Sequence, residues 1–279
     1  MKQFRFNGHR IAYQEIGAGP PLIFLHNGGN DHHIWDYQIA HFSTTHRVYA
    51  LDHLGFGESD KPNIELPLSL YSEALATFVA SLDSDSVTLI GNCMGSATAF
   101  DYTLHHPGNV RQLVLFNITS KRILGAGPLK DFHLKFSNDR RAREDYIAKI
   151  EASGLSRDQT DRYLRSQYGM APPDDPEFAD YIFELCNRPG QMRSLYVVLS
   201  NFDSYSSPDE FVLPTGFPPT LIVWGRENHI LPLAAGEEFH QRMEGQRLEI
   251  IDGCGHLLMR EKPQATNQLL EDFLAQAQT

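Results

Sequence analysis

Residues 88–100, "TLIGNCMGSATAF", decide the fold. An apolar run stops at "GNCMGS" (91–96), where Cys93 stands between two glycines spaced G-x-C-x-G. Small residues at helical spacing follow. A buried strand that turns at once into a helix gives this pattern. In an open α/β sheet, ligands meet the protein at the carboxyl ends of strands. Gly91 and Gly95 lack a Cβ, so strand and helix can approach closely. The turn thus thrusts Cys93 out beside the first free N–H groups of a helix, whose partial positive charge lowers a thiol pKa. The competing reading is a small buried apolar cysteine.

Working outward, "KQFRFNG" and "HRIAYQEIG" read as two strands around an Asn-Gly turn. "PLIFLH" (21–26), "HRVYALD" (46–52), "SVTLIG" (86–91), "RQLVLFN" (111–117), "PTLIVWG" (219–225) and "QRLEIID" (246–252) read as buried strands. Helical patterns occupy about 33–42, 68–82, 94–106, 233–243 and 263–276. Strands alternating with helices predict an α/β fold, a mainly parallel sheet with helices on both faces and an antiparallel edge from the opening hairpin. The rhythm breaks over 118–215, where charged helical patches such as "DRRAREDYIAKIEAS" appear without a clear strand. The expected organisation is a core of 1–117 and 216–279 with a helical cap insertion at 118–215. Insertions over open sheets tend to cover the ligand crevice.

Apolar residues make up 41% and charged residues 21% of 279, as in a well-packed globule. The formal charge of −11 argues against nucleic acid or an anionic membrane as partner, since both need a basic face. No signal peptide or membrane span is read, and three cysteines are too few for a disulfide framework, so a cytoplasmic protein is expected. A homodimer stays open.

Five stretches in order resemble the capped, epoxide-hydrolase and dehalogenase-like branch of the α/β-hydrolase superfamily. "FLHNGGNDHHIW" (24–35) is similar to its oxyanion loop, and "LDHLGFGESDKP" (51–62) to its D-x-x-G-x-G-x-S loop. "GNCMGS" matches the nucleophile elbow, "LIVWGRENHILP" (221–232) the loop that usually carries the acid, and "IDGCGHLLMREKP" (251–263) the histidine loop. The resemblance spans nearly the whole chain and implies the α/β-hydrolase fold, with His256 as base. The residues agree, because His256 follows a buried strand in a glycine-rich turn. His32 and His33 read as wall or cap contacts, Cys254 as packing, and neither a metal nor a cofactor is expected.

The third member departs from the pattern. Asn228 stands where aspartate is usual, and the alternative acid position after the sixth strand is also an amide, Asn117. A serine triad needs a buried acid, and asparagine in its place costs about 10⁴ in rate. A cysteine is more acidic, so a thiolate–imidazolium pair can exist beforehand and an asparagine can suffice to orient the ring. Glu227 or Asp252 as the acid is the alternative.

Acyl transfer also needs donors for the developing oxyanion. The Met94 N–H and the Gly28 N–H are expected to supply them, with Asn27, Gly29 and Asn30 as substrate-binding neighbours. Cap aromatics Phe132, Phe136, Tyr163, Tyr168, Tyr181, Phe183 and Tyr196 would shape an apolar pocket, or form cap core. The resulting expectation is an esterase, thioesterase or lactonase on a small molecule with an apolar acyl part. An acyltransferase, a C–C hydrolase and a non-catalytic binder are the alternatives. "GFGES" lacks the G-K-[ST] of a phosphate loop.

Overall fold

The computed structural model describes residues 1–170 and 175–276. Its eight strands are β1 Lys2–Phe6, β2 His9–Ile16, β3 Pro21–Leu25, β4 Arg47–Leu51, β5 Val87–Asn92, β6 Val110–Phe116, β7 Thr220–Gly225 and β8 Arg247–Ile251. They form one sheet in the order β1-β2-β4-β3-β5-β6-β7-β8. The pairs β1/β2 and β2/β4 are antiparallel, and the rest are parallel. Asn7 and Gly8 both have positive φ, 48° and 82°, which a two-residue type I′ hairpin turn requires.

The continuous apolar runs have a simple cause. Leu22 and Phe24 join the hydrophobic cluster on one face of the sheet, while Ile23 and Leu25 join the cluster on the other. Val114 and Phe116 alternate with Leu113 and Leu115 in the same way, as do Leu221 and Val223 with Ile222 and Trp224. Side chains of period two therefore need apolar residues at every position when both faces are covered. Each such buried side chain contributes about 1.5–3 kcal/mol.

Helices α1 Asp36–Phe42, α2 Leu68–Ala80, α3 Met94–His105, α10 Leu233–Arg242, α11 Leu258–Glu261 and α12 Pro263–Ala275 belong to the core. Between β6 and β7 lie α4 Lys121–Ala126, α5 Lys130–Phe136, α6 Arg140–Ser153, α7 Arg157–Ser166, α8 Pro176–Cys186 and α9 Gln191–Ser200. All six fall within 118–215, where four residues lie outside the described set. Three of these, α4, α5 and α9, have no counterpart among the helical patches read from the sequence. The first two are short, and α9 ends in an apolar "LYVVLS" run whose period is ambiguous. Among the described residues no helix is long and apolar enough to cross a membrane.

The parallel register sets the site. Leu25 lies opposite Gly91, Asn92 opposite Phe116, and Gly225 opposite Ile251. The loops after β3, β5, β7 and β8 thus emerge from one edge of the sheet.

Candidate active site

Cys93 stands between β5 and α3 with φ 52° and ψ −108°, a conformation rare outside glycine. Such a residue costs about 1–3 kcal/mol and persists only where its surroundings hold it. Here the Cys93 N–H donates to the Phe116 carbonyl at 2.9 Å, and the Cys93 carbonyl accepts from Ala97 N–H at 3.0 Å. The two glycines are required by contact. A Cβ on Gly91 would collide with the backbone of Gly95 and Ser96, and one on Gly95 with the Leu25 carbonyl.

The thiol faces the Met94 N–H and the Thr119 hydroxyl, which has no other partner. Burial pushes the thiol up to about 12, against the pull of those two donors. The helix terminus therefore fails to produce the acidic thiol expected from the sequence. His256 is 2% exposed, and burial lowers its ring to about 3. Both groups rest neutral, so the expected thiolate–imidazolium pair is absent from this arrangement. The physical reason is desolvation with no charge nearby to offset it.

His256 is held on three sides. Its N–H donates to the Gln167 carbonyl at 2.8 Å, and its own carbonyl accepts from Asn92 Nδ2 and Asn117 Nδ2, each at 3.2 Å. Asn117, at the family's alternative acid position, is thus a clamp on the histidine backbone. Its Oδ1 accepts from Gly225 N–H at 3.3 Å.

Asn228 is the ring's partner, with Nδ2 3.2 Å from His256 Nδ1. Its Oδ1 accepts from the N–H groups of Ile230 and Leu231, both at 3.0 Å. The amide is therefore oriented with its NH₂ toward the ring, so neutral His256 accepts at Nδ1 and carries its proton on Nε2. The alternative acids are elsewhere. Glu227 accepts from Gly253 N–H and Cys254 N–H at 2.8 and 3.1 Å, and the exposed Asp252 pairs with Arg226. Both are corrected to structural roles. Cys254 is buried, its Sγ against the Ile251 carbonyl.

In the loop after β3, His26 Nδ1 donates to the Asn27 carbonyl at 2.7 Å, and its Nε2 accepts from His53 N–H at 2.9 Å. Asn27 and Gly28 line the site, whereas Gly29 and Asn30 lie outside the cavity lining. The side-chain amides of Asn27 and Asn30, read as substrate-binding neighbours, are engaged within the protein. Asn27 Nδ2 and Asn30 Nδ2 donate to Gln167 Oε1 at 3.0 and 2.8 Å. Gly29, with φ 82°, leaves room for the Tyr163 hydroxyl that a Cβ would strike.

Cys93, Met94, Gly28 and His256 share one cavity of about 430 Å³, roofed by α4, α5, α7 and α9. Of the cap aromatics, Phe132, Tyr163 and Tyr196 line it. Phe136 packs on Tyr146, Tyr181 donates its hydroxyl to Asp31, Phe183 lies under Arg157, and Tyr168 is buried outside the lining. Among the described residues no Lys, Arg, Asp or Glu lines the cavity. Gln167 and Asn92 escaped the sequence reading. Asn92 sits inside the quoted elbow, but nothing in a single sequence tells a clamp from a spacer.

His32 and His33 lie side by side, their ring centroids 4.0 Å apart. His32 Nδ1 meets Asp52 at 2.8 Å and His33 Nδ1 meets Asp31 at 3.1 Å. Burial opposes the charge on His32, but the bond to Asp52 lifts its pKa. Burial likewise opposes charge on Asp31, and the His33 bond and neighbouring imidazoles hold it well below the usual carboxylate range. These residues meet α8 through Tyr181 rather than line the cavity.

A family model for the alpha/beta hydrolase fold matches residues 20–263. The chain belongs to this family. Relatives of this α/β-hydrolase include the 2-hydroxy-6-oxononadienedioate/2-hydroxy-6-oxononatrienedioate hydrolase of Klebsiella pneumoniae. It is 29% identical, with 96% of this chain and 92% of that one covered. The 2-hydroxy-6-oxo-2,4-heptadienoate hydrolase of Pseudomonas putida is 26% identical over 96% of this chain and 94% of its own. Among solved structures, a bacterial membrane phospholipase A superposes with TM-score 0.82 at 23% identity, covering all of this chain and 86% of that one. That last likeness concerns the fold.

Proposed function

We propose that this α/β-hydrolase cleaves an uncharged ester, thioester or lactone with an apolar acyl group, using Cys93 as nucleophile. The carrying observation is the cavity of about 430 Å³ that gathers Cys93, Met94 and His256 on its floor, with no Lys, Arg, Asp or Glu among its described lining residues. Both named relatives are hydrolases of carboxylate substrates. A buried carboxylate needs a cationic partner, and no Lys or Arg is among the described lining residues. An uncharged substrate fits better, which disfavours the C–C hydrolase reading on such acids.

In the proposed reaction the Cys93 sulfur adds to the carbonyl carbon, and the oxyanion is held by the Met94 N–H and the Gly28 N–H. The thiol proton passes to His256 Nε2. That transfer needs the ring proton on Nδ1 and the Asn228 carbonyl turned toward it. The turn sacrifices two backbone hydrogen bonds, about 0.5–1.5 kcal/mol each. His256 then protonates the leaving alcohol or thiol. Water, deprotonated by the same nitrogen, attacks the thioester and releases the acid, restoring the thiol. Incubation with an activated medium-chain ester should add the acyl mass at Cys93. Full turnover in Cys93→Ala would overturn the proposal.

One observation favours a second reading, a ligand-binding protein without turnover: Asn228 donates to the ring nitrogen that a working triad needs protonated. Absence of both acyl adduct and turnover would select it.

A further inference from the structure

Gln167 closes α7 onto the core and is 1% exposed. Its carbonyl oxygens are fully used. Oε1 accepts from Asn27 and Asn30, and the backbone carbonyl accepts from His256 N–H and Leu257 N–H at 2.8 and 3.1 Å. Its Nε2 is different. Among the described residues this buried donor has no hydrogen-bond partner of good geometry, and its residue lines the cavity. It reaches toward the Tyr163 hydroxyl, which burial keeps protonated. A buried amide donor left unpaired costs about 1–3 kcal/mol, so native structures rarely keep one without a use.

We propose that Gln167 Nε2 is a substrate-recognition donor, and that the substrate carries an uncharged acceptor oxygen, of carbonyl or ether type, besides its scissile carbonyl. This rests on the cavity being the substrate site and adds the chemistry of the ligand. An anion is disfavoured because no Lys or Arg is among the described residues that line the cavity. A hydroxyl offering its proton is disfavoured because Gln167 Oε1 already accepts two bonds. A neutral acceptor satisfies Nε2 and leaves the other contacts intact. Binding there also secures the side chain that holds Asn27 and Asn30, and hence the oxyanion loop. Leu124, Leu129, Phe132, Met192 and Leu195 surround the rest of the space and suit the apolar chain.

The test uses ligands that cannot be hydrolysed. Ten-carbon alkyl ketones, each with one chain methylene replaced by an ether oxygen, are titrated calorimetrically against the protein beside the all-carbon ketone. One oxygen position should bind about ten- to hundredfold tighter than the all-carbon ketone. The other positions should bind more weakly, because their oxygens lose water without gaining a donor. In Gln167→Leu the favoured position should lose its advantage; Gln167→Met, unbranched and of similar length, serves if the leucine variant fails to fold. A scan with no favoured position, or one whose advantage survives in Gln167→Met, overturns the proposal. Failure of ester turnover with a favoured position present would contradict the hydrolase reading alone.

Discussion

Asn228 gives its NH₂ group to His256 Nδ1, at 3.2 Å, because its carbonyl is committed to the N–H groups of Ile230 and Leu231. Turning the amide over would set its NH₂ against two backbone donors. A carboxylate would have no such conflict, since either oxygen accepts. The single amide therefore decides which nitrogen of the ring holds the proton.

Replacing that amide by a carboxylate should awaken the site. In Asn228→Asp one oxygen keeps Ile230 and Leu231 while the other accepts from Nδ1–H, and the imidazolium gains a counter-charge. Ester turnover is expected to rise, by up to roughly 10⁴, the size of the opposite change in a serine triad. The initial rate on an activated ester measures it. Unchanged turnover in a folded variant would count against the role given to residue 228.

The thiol should be sluggish. With its pKa pushed up to about 12 by burial, Cys93 is almost entirely protonated at neutral pH. Alkylation by iodoacetamide at Cys93, followed by mass spectrometry, should be slow at pH 7 and accelerate with each unit of pH through 9. Fast modification below pH 7 would reveal a thiolate and contradict the neutral pair.

Acid should destabilise the fold early. His256 is lowered to about 3 by burial, and burial also lowers His26 and His53, the latter well below its ordinary value. A depressed histidine contributes stability that is present above the unfolded value of about 6.5 and lost as pH falls toward the folded one. For His256 alone the loss at pH 5 is on the order of 2 kcal/mol. His32 acts oppositely, since its raised pKa contributes stability that is present below the unfolded value and lost as pH rises through the folded one. The urea midpoint should be lower at pH 5 than at pH 7.5. An equal or higher midpoint at pH 5 would show that these rings are not buried neutral.

The clamp on the histidine loop has its own signature. Asn117→Ala removes the donor to the His256 carbonyl and the acceptor of Gly225 N–H. A loss of about 1–3 kcal/mol is expected for each group left unpaired. With kcat lowered and KM little changed, the residue positions the ring rather than binding substrate.

The strands around "GNCMGS" were legible because continuous apolar runs, two obligatory glycines and the Asn7–Gly8 turn are local signals. The six buried runs and the opening hairpin all became strands within a residue or two. The place of Cys93 at the strand edge was legible for the same reason. Its charge state was not, since the helix terminus is local but desolvation depends on the cap that folds over it. The partnership of Asn228 with His256 followed from the resemblance of "LIVWGRENHILP" to the loop that usually carries the acid. The direction in which the amide points could not, because it is dictated by the backbone of Ile230 and Leu231. Gln167 was invisible as a polar residue closing a polar helix, and only the tertiary meeting of Asn27, Asn30 and His256 gives it meaning.

The most direct measurement is which ring nitrogen of His256 carries the proton, read from ¹⁵N shifts and long-range ¹H–¹⁵N couplings near neutral pH. The geometry predicts a neutral ring with its proton on Nε2 in the wild type, moving to Nδ1 in Asn228→Asp. A wild-type ring protonated at Nδ1, or at both nitrogens, would contradict it.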